Sequence, residues 1–246
     1  MNSIMTIIST ILIFISIIIT FMLYSNRVMN WIAQKVSSRV NGCNHNAIIS
    51  HPTKSYLFAK RIMDIVLAVI FLILTFPTLL LISIFVKISS KGPAIIKVER
   101  YGKNHAKYYS YKFKTMTKTP QNEEPANSQL SKLILTNLGY FLWRTGLNEL
   151  PSLINVLLGD ISLVGRSFVV DYLITNGKVT GNEIEKLINL KPGMLSLWML
   201  SLDRQKIDSE RIICFDIYYY NNCSLLLDLK IIVCSVIILS GTVSKY

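Results

Sequence analysis

This sequence of 246 residues has few acidic residues, no C-x-x-C cysteine pair and no cluster of histidines. Only 14 Asp and Glu stand against 26 Lys and Arg, and the three histidines, His45, His51 and His105, lie far apart. The four cysteines contain no C-x-x-C pair, so neither a disulfide framework nor a Cys/His metal site is predicted, and a reducing environment fits. No nucleic-acid-binding motif is present, which leaves the net charge of +12 for another anionic partner.

Charged residues make up only 16% of the chain, whereas hydrophobic residues make up 51%. A basic and apolar protein is suited to the anionic cytoplasmic leaflet, where each Lys or Arg near the surface contributes about 1 kcal/mol. The length allows one sizeable domain plus membrane segments. We therefore expect a membrane protein with one cytoplasmic domain and no nucleic-acid partner.

The first apolar run occupies residues 4–23 and contains no charged residue, which is enough for a transmembrane helix. No signal-peptide cleavage site follows it. The first basic residues, Arg27 and Lys35, come after this run, and their bias toward the cytoplasm places the N-terminus outside. The sequence thus predicts a transmembrane helix over residues 1–24 and a juxtamembrane linker over residues 25–59.

A second apolar run, residues 62–86, has basic residues on both flanks, at Lys60 and Lys87, and Pro77 near its middle. Proline removes a helical hydrogen bond and clashes with the preceding turn. Because basic flanks mark the cytoplasmic side, two of them favour a re-entrant helix over residues 60–90 that is broken at Pro77 and returns. An ordinary kinked spanning helix is the alternative.

The rest of the chain, residues 91–246, predicts a mostly helical cytoplasmic domain with a small β-hairpin, so the expected class is a membrane-associated α+β fold. Two extended segments, residues 94–99 and 108–113, flank a turn and form the hairpin. Residues 133–143 predict a helix, and residues 209–220 predict another.

Two further helices bear on function. Apolar residues at helical spacing predict a helix that ends at Gly159, with Asn148 as its N-cap and Glu149 in its first turn. Residues 225–243 are apolar but contain Asp228, which favours an amphipathic helix lying at the membrane over a span.

A series of short motifs runs in order from Lys60 to the C-terminus. With them the chain resembles the monotopic phosphoglycosyl transferases among the bacterial sugar transferases, which load a phosphosugar from a UDP-sugar onto undecaprenyl phosphate. The motifs are Lys60-Arg61-x-x-Asp64, Pro77, Ser90-Lys91-Gly92-Pro93, Glu99-Arg100-x-Gly102, Tyr111-Lys112-Phe113-Lys114-Thr115-Met116, Glu149-Leu150-Pro151, Asn155-Val156-Leu157-x-Gly159-Asp160, Ser162-Leu163-Val164-Gly165, Lys191-Pro192-Gly193, Asp216-x-Tyr218-Tyr219 and Leu227-Asp228-Leu229-Lys230-Ile231.

The resemblance implies a protein of the bacterial inner membrane with its main domain on the cytoplasmic side. The implied reaction is the initiating step of polysaccharide or glycoconjugate synthesis, with polyprenyl phosphate and a UDP-sugar as partners. It also implies a re-entrant helix that is broken at Pro77. The sugar, and whether the chain forms a homo- or hetero-oligomer, are left open.

The family uses an Asp-Glu pair, in which the aspartate attacks the β-phosphate and the glutamate helps to hold Mg²⁺. This chain has Asn148-Glu149 at that place. A neutral amide is a far poorer nucleophile than a carboxylate, so we expect no covalent intermediate on Asn148 and little or no UMP release. Glu149 is the implied Mg²⁺ ligand.

Other positions complete the implied site, and some depart from the family. Trp143 stands where the family has an arginine, and the family's Pro-Arg-Pro reads Arg166-Ser167-Phe168. Without the resemblance, Asp216 would be taken for an acid on a helix surface. The candidate catalytic residues are Asn148, Glu149 and Asp216, and the candidate substrate-binding residues are Lys112, Lys114, Arg144, Arg166 and Arg204.

Two function classes follow. In the first, the chain is a sugar transferase with an altered site that works through Glu149 or by direct transfer. In the second, it is a catalytically degenerate member, a membrane-bound binding or partner subunit. Fold-level resemblance does not decide between them, because function lies in the site.

Overall fold

The computed structural model describes residues 52–90, 92–116, 136–170, 190–201 and 209–239, with the single positions 34, 38 and 187. The predicted transmembrane helix over residues 1–24 lies outside them. The described chain combines helices with two small sheets, as expected for the α+β class. Its helices and strands are α1 (Lys54–Ser89), β1 (Ile95–Tyr101), β2 (Lys107–Phe113), α2 (Asn137–Thr145), α3 (Leu153–Leu158), β3 (Ser162–Val164), β4 (Gly193–Leu195), α4 (Ser209–Asn221) and α5 (Leu225–Leu239).

Helix α1 is longer than the predicted membrane segment and is not interrupted at Pro77. It begins at Lys54, inside the predicted linker, where the Thr53 hydroxyl accepts a hydrogen bond from the Tyr56 amide at 3.3 Å. The expected break at Pro77 is therefore wrong: the helix continues through the proline. The loss of one backbone hydrogen bond is tolerated inside an apolar helix of 36 residues. Thr75, two residues earlier, donates its hydroxyl to the Phe71 carbonyl, a contact that often bends helices.

Both halves of α1 have residues buried in the folded domain, whereas its middle makes only partly buried contacts, through Phe71, Leu72 and Leu79. Lys60, Asp64 and Ala68 are buried in the first half, and Ile82 and Val86 in the second. No residue between 69 and 81 is buried. The two ends of this helix are thus held by one domain, and an apolar segment between them is exposed.

The predicted hairpin is confirmed. Strands β1 and β2 pair antiparallel, with Ile95 opposite Phe113 and Tyr101 opposite Lys107. The turn between them is a short 3-10 helix, Lys103–His105. Because residues alternate faces along a strand, Lys112 lies on the inner face of the hairpin, which packs against residues 147–152.

The helix that was predicted to start after an N-cap at Asn148 starts later, at Leu153. Gly146 adopts a left-handed conformation (φ 74°), ends α2 and caps a 3-10 helix, Leu147–Ser152, which leads into α3. Asn148 is therefore not an N-cap but lies inside the 3-10 turn. The glycine takes the cap position because it reaches positive φ at little cost. The predicted end is confirmed, since Gly159 (φ 94°) terminates α3.

A parallel pair that the sequence did not predict joins β3 to β4. The two strands approach so closely that a Cβ at Gly193 would lie 2.0 Å from the Gly165 amide nitrogen. Only glycine fits there, which explains the Gly in the Lys191-Pro192-Gly193 motif. The pairing holds the residues that follow β3 against the segment that precedes α4.

Helix α5 buries an acidic residue and exposes several apolar ones. Asp228 is fully buried and accepts hydrogen bonds from Lys60 at 2.8 Å and Tyr56 at 2.8 Å. The Tyr219 hydroxyl of α4 donates to the other oxygen of the same carboxylate. The exposed side of α5 instead carries Leu226, Leu229, Val233 and Val236.

The Lys60–Asp228 ion pair yields a stability prediction. Removing one member of a buried pair leaves an uncompensated charge, so Asp228→Ala should lower the free energy of unfolding by about 3–5 kcal/mol. Thermal unfolding of the full chain in detergent measures this.

The matched control is the double variant Lys60→Met/Asp228→Leu, which replaces both charges by apolar groups and should be more stable than either single change. A single variant as stable as the unaltered chain would show that the pair is not important for folding.

Candidate active site

The candidate site lies where the inner face of the hairpin meets the 3-10 helix after α2. The Lys112 ammonium donates to Oε1 of Glu149 in an ion pair whose side chains are 12% and 33% exposed. The Asn148 amide nitrogen lies 3.5 Å from the same oxygen, and Asn148 itself is buried. The structure therefore brings three of the predicted residues together at a partly open surface.

Buried polar contacts fix this geometry. Asn155 of α3 is fully buried; its amide donates to the Tyr109 carbonyl at 2.7 Å and accepts from the Tyr111 amide at 3.0 Å. One side chain thus ties β2 to α3 on either side of Ser110. The Ser152 hydroxyl donates to the Glu149 carbonyl at 2.6 Å and stabilises the turn that carries Glu149.

The electrostatics of the site centre on Lys112. Burial lowers the pKa of its ammonium below the ordinary value; Glu149 opposes this shift, while the charge of Arg100 lowers the pKa further. Arg100 was not among the predicted site residues. It lies on the same inner face as Lys112, because positions 96, 98 and 100 of β1 face positions 112, 110 and 108 of β2. Strand alternation, applied to the hairpin, was the signal that could have found it.

Asp216 and Arg166 are placed in the interior rather than at the site. Asp216 is fully buried, not a helix-surface acid, and accepts a hydrogen bond from the Ser167 amide at 2.8 Å. Arg166 is also fully buried and donates to the carbonyls of Leu190 at 3.0 Å and Gly102 at 3.1 Å. These two side chains support the backbone behind the site and present no surface to a substrate.

The remaining predicted residues are Arg144, Lys114 and Arg204. Arg144 is exposed in the last turn of α2. Lys114 follows β2 and its ammonium lies near Gly92, 3.5 Å from where a Cβ would stand. Arg204 is outside the described residues. Trp143, at the place of the family arginine, is 47% exposed and contacts Tyr140 with ring centroids 6.5 Å apart.

The turn that carries Glu149 has oxygen atoms of the kind that Mg²⁺ binds. Within the described residues there is no group of three or more acids, histidines or cysteines that could hold a metal ion. Yet Mg²⁺ in nucleotide sites is held by one or two carboxylates, with phosphates and water completing its shell. Glu149 offers a hard oxygen ligand of that kind, and the Asn148 amide, whose nitrogen faces Glu149, carries a second oxygen. The residues fit a Mg²⁺ ion that arrives with a diphosphate.

Known proteins similar to this chain share a family description. The family described as bacterial sugar transferase matches residues 55–241. The UDP-glucose:undecaprenyl-phosphate glucose-1-phosphate transferase of Klebsiella pneumoniae is 30% identical over 218 residues, 82% of this chain and 44% of that protein. The undecaprenyl-phosphate galactose phosphotransferase of Salmonella typhimurium is 33% identical over 196 residues, 73% of this chain and 40% of that protein.

A shorter relative is matched over almost its whole length. The exopolysaccharide production protein PSS of Rhizobium leguminosarum is 32% identical over 184 residues, which are 72% of this chain and 92% of that protein. The chain spans less than half the length of the first two relatives. The match to the family nevertheless covers most of the chain and every residue of the candidate site. The chain belongs to the bacterial sugar transferase family.

Proposed function

We propose that this protein transfers a phosphosugar from a UDP-sugar to undecaprenyl phosphate at the cytoplasmic face of a bacterial membrane. The names of the relatives from Klebsiella and Salmonella describe transfers of a sugar phosphate to this lipid. The observation that carries the proposal is the partly exposed Lys112–Glu149 pair beside Asn148, on the turn that the family match covers. This pair provides a cation and an oxygen ligand where a diphosphate would bind.

In the proposed reaction, the bond between the β-phosphorus and the oxygen that leads to UMP breaks. A new bond forms between that phosphorus and an oxygen of undecaprenyl phosphate, and UMP leaves. Lys112 binds the negative diphosphate, and its contact with Glu149 keeps both side chains in place. When bound at Glu149 and Asn148, Mg²⁺ would neutralise further diphosphate charge.

The replacement of aspartate by Asn148 constrains the route. An amide cannot form the acyl phosphate that a carboxylate forms, which leaves attack by Glu149 or direct attack by the lipid phosphate. Direct transfer needs no covalent intermediate and no nucleophile from the turn. We propose the direct route, with Glu149 as a ligand; a binding or partner subunit without activity is the outcome that would replace it.

The membrane topology we propose is re-entrant. Helix α1 is long and apolar enough to cross a membrane, and most of its apolar stretch is not buried by the domain. From Asp64 to Val86 a straight helix rises about 33 Å, close to the hydrocarbon thickness of about 30 Å. A spanning helix would then place its two buried ends on opposite sides, yet both contact one domain. This supports a helix that bends near Pro77 and keeps both ends in the cytoplasm, with the apolar side of α5 at the interface.

Cysteine labelling tests the topology. Ser55→Cys and Ser90→Cys, each as the only cysteine after replacement of Cys43, Cys214, Cys223 and Cys234, should both resist a membrane-impermeant maleimide added to intact cells. Both should react after permeabilisation, because basic residues flank both ends.

Asn2→Cys, at the terminus predicted to lie outside, is the control that should react in intact cells. Reaction of Ser90→Cys but not Ser55→Cys in intact cells would establish a spanning helix instead.

Product analysis tests the activity. Asn148 taken alone predicts little or no UMP release. Under the direct route, the unaltered chain should instead release UMP from one of a panel of UDP-sugars only when undecaprenyl phosphate is present, and it should carry no phosphosugar adduct by mass spectrometry. Glu149→Gln removes a charged oxygen ligand beside the diphosphate, so it should lower the rate by about a hundredfold or more.

Glu99→Gln, which removes an exposed acid paired with Lys107 on the outer face of the hairpin, is the matched control and should retain activity. An adduct on Glu149 would replace the direct route by a covalent one. The absence of UMP release with every sugar, in folded protein, would favour the binding-subunit class.

The lowered pKa of Lys112 gives a pH prediction. The ammonium binds the diphosphate only while it is charged, so this contribution is complete below its pKa and is lost as the pH rises through it. Burial places the pKa of Lys112 below the 10.5 of a free lysine. UDP binding should therefore weaken at a pH below the one at which exposed lysines lose their charge. Calorimetric titration with UDP from about pH 7 to about pH 10 measures this.

Lys112→Arg serves as the control, because a guanidinium stays charged over this range. Titration of UDP itself is common to both proteins. If both lost affinity at the same pH, Lys112 would not be the group responsible.

A further inference from the structure

Arg100 on the inner face of the hairpin has a donor that the described chain does not satisfy. Its Nε atom is buried and has no hydrogen-bond partner among the described residues. The guanidinium carbon lies 4.9 Å from the centroid of the Phe168 ring. A buried donor without an acceptor is destabilising and is rare in folded proteins, so each instance calls for an explanation such as a bound group.

The surroundings of Arg100 point to an anionic group. Its charge acts on Lys112, which forms the ion pair with Glu149. Two cations are therefore close enough for one to act on the other, only Lys112 is paired with a carboxylate, and Asn148 beside that carboxylate contributes no charge. The local excess of positive charge would be compensated by an anion that enters between the hairpin and the 3-10 helix.

The contact with Phe168 decides how Arg100 can bind. Stacking on an aromatic ring occupies one face of the planar guanidinium and leaves its N–H groups available in the plane. Those groups form a fork that matches two phosphate oxygens, which an ammonium does not. Phe168 thus has a role in orienting Arg100, and it stands in this chain where the family motif has a proline.

We infer that Arg100 is a further substrate-binding residue, whose guanidinium binds the diphosphate of the UDP-sugar together with Lys112. The inference rests on the proposed function, because it assigns a ligand to the same site. Lys112 supplies a point charge next to Glu149, and Arg100 supplies a directional fork on the other side of the diphosphate. Arg100 therefore contributes to recognition of the nucleotide sugar, and the bonds that break and form remain those described above.

The experiment measures binding of UDP and of uridine to the full chain in detergent by calorimetry. Arg100→Gln should weaken UDP binding about tenfold or more, the range expected for a lost charged hydrogen bond. Uridine lacks phosphates, so its affinity should not change. Arg100→Lys keeps the charge without the fork and should give an intermediate loss for UDP.

Lys97→Gln is the matched control, because Lys97 is an exposed cation on the opposite face of the same strand. This variant should bind UDP like the unaltered chain. A second measurement, the KM for the UDP-sugar, should rise in Arg100→Gln and Arg100→Lys more than kcat falls, as expected for lost ground-state binding.

The outcomes separate this inference from the proposed function. Failure of the unaltered chain to bind UDP would overturn both the proposed function and the role of Arg100. A second outcome would overturn the role of Arg100 alone. In that outcome the unaltered chain and Arg100→Lys bind UDP equally well, and Arg100→Gln either binds it equally well too or is unfolded. An equal loss for UDP and uridine would overturn it too, since that would indicate a general disturbance of the fold.

Discussion

The arrangement of the protein depends on how the first turns of α1 are fastened to the domain. The Arg61 guanidinium donates to the carbonyls of Val156 at 2.6 Å and Leu157 at 2.8 Å, at the C-terminal end of α3. Asp64 accepts a hydrogen bond from the hydroxyl of Ser162, the first residue of β3, at 2.6 Å. A charged side chain that is removed from water needs hydrogen-bond partners of this kind, so these contacts fix the position of α1 on the domain. Because α3 is continuous with the turn that carries Glu149, the same contacts fix the position of the apolar helix relative to the candidate site.

A second constraint lies between the hairpin and α3. Asn155 replaces two hydrogen bonds that the edge of β2 would otherwise make with water or another strand, and it does so from the fully buried side of α3. The inner face of β2 therefore cannot shift along α3 without losing both bonds. Lys112 reaches Glu149 only in this register, which explains why a small, two-stranded sheet is sufficient to build a site.

Local chemistry in the sequence predicted the hairpin and the end of α3 at Gly159, because turn residues and a glycine cap act over a few positions. The N-cap at Asn148 was wrong because Gly146, two residues earlier, could take the left-handed conformation that ends α2. The pairing of β3 with β4 joins segments about thirty residues apart, which no local pattern reveals. The burial of Asp216, Arg166 and Asp228 could not be predicted for the same reason, because their partners come from distant parts of the chain.

The amide at Asn148 changes the charge of the site as well as its nucleophile. A carboxylate at this nearly buried position would stand beside Glu149, and two like charges at such a distance oppose each other's ionisation. With an amide there, Lys112 has one negative group beside it instead of two. This loss of a nucleophile therefore comes with a stronger positive field where a diphosphate would enter. In the reaction we propose, the amide excludes an acyl phosphate at position 148, and Lys112 and Arg100 would hold the nucleotide sugar for direct transfer.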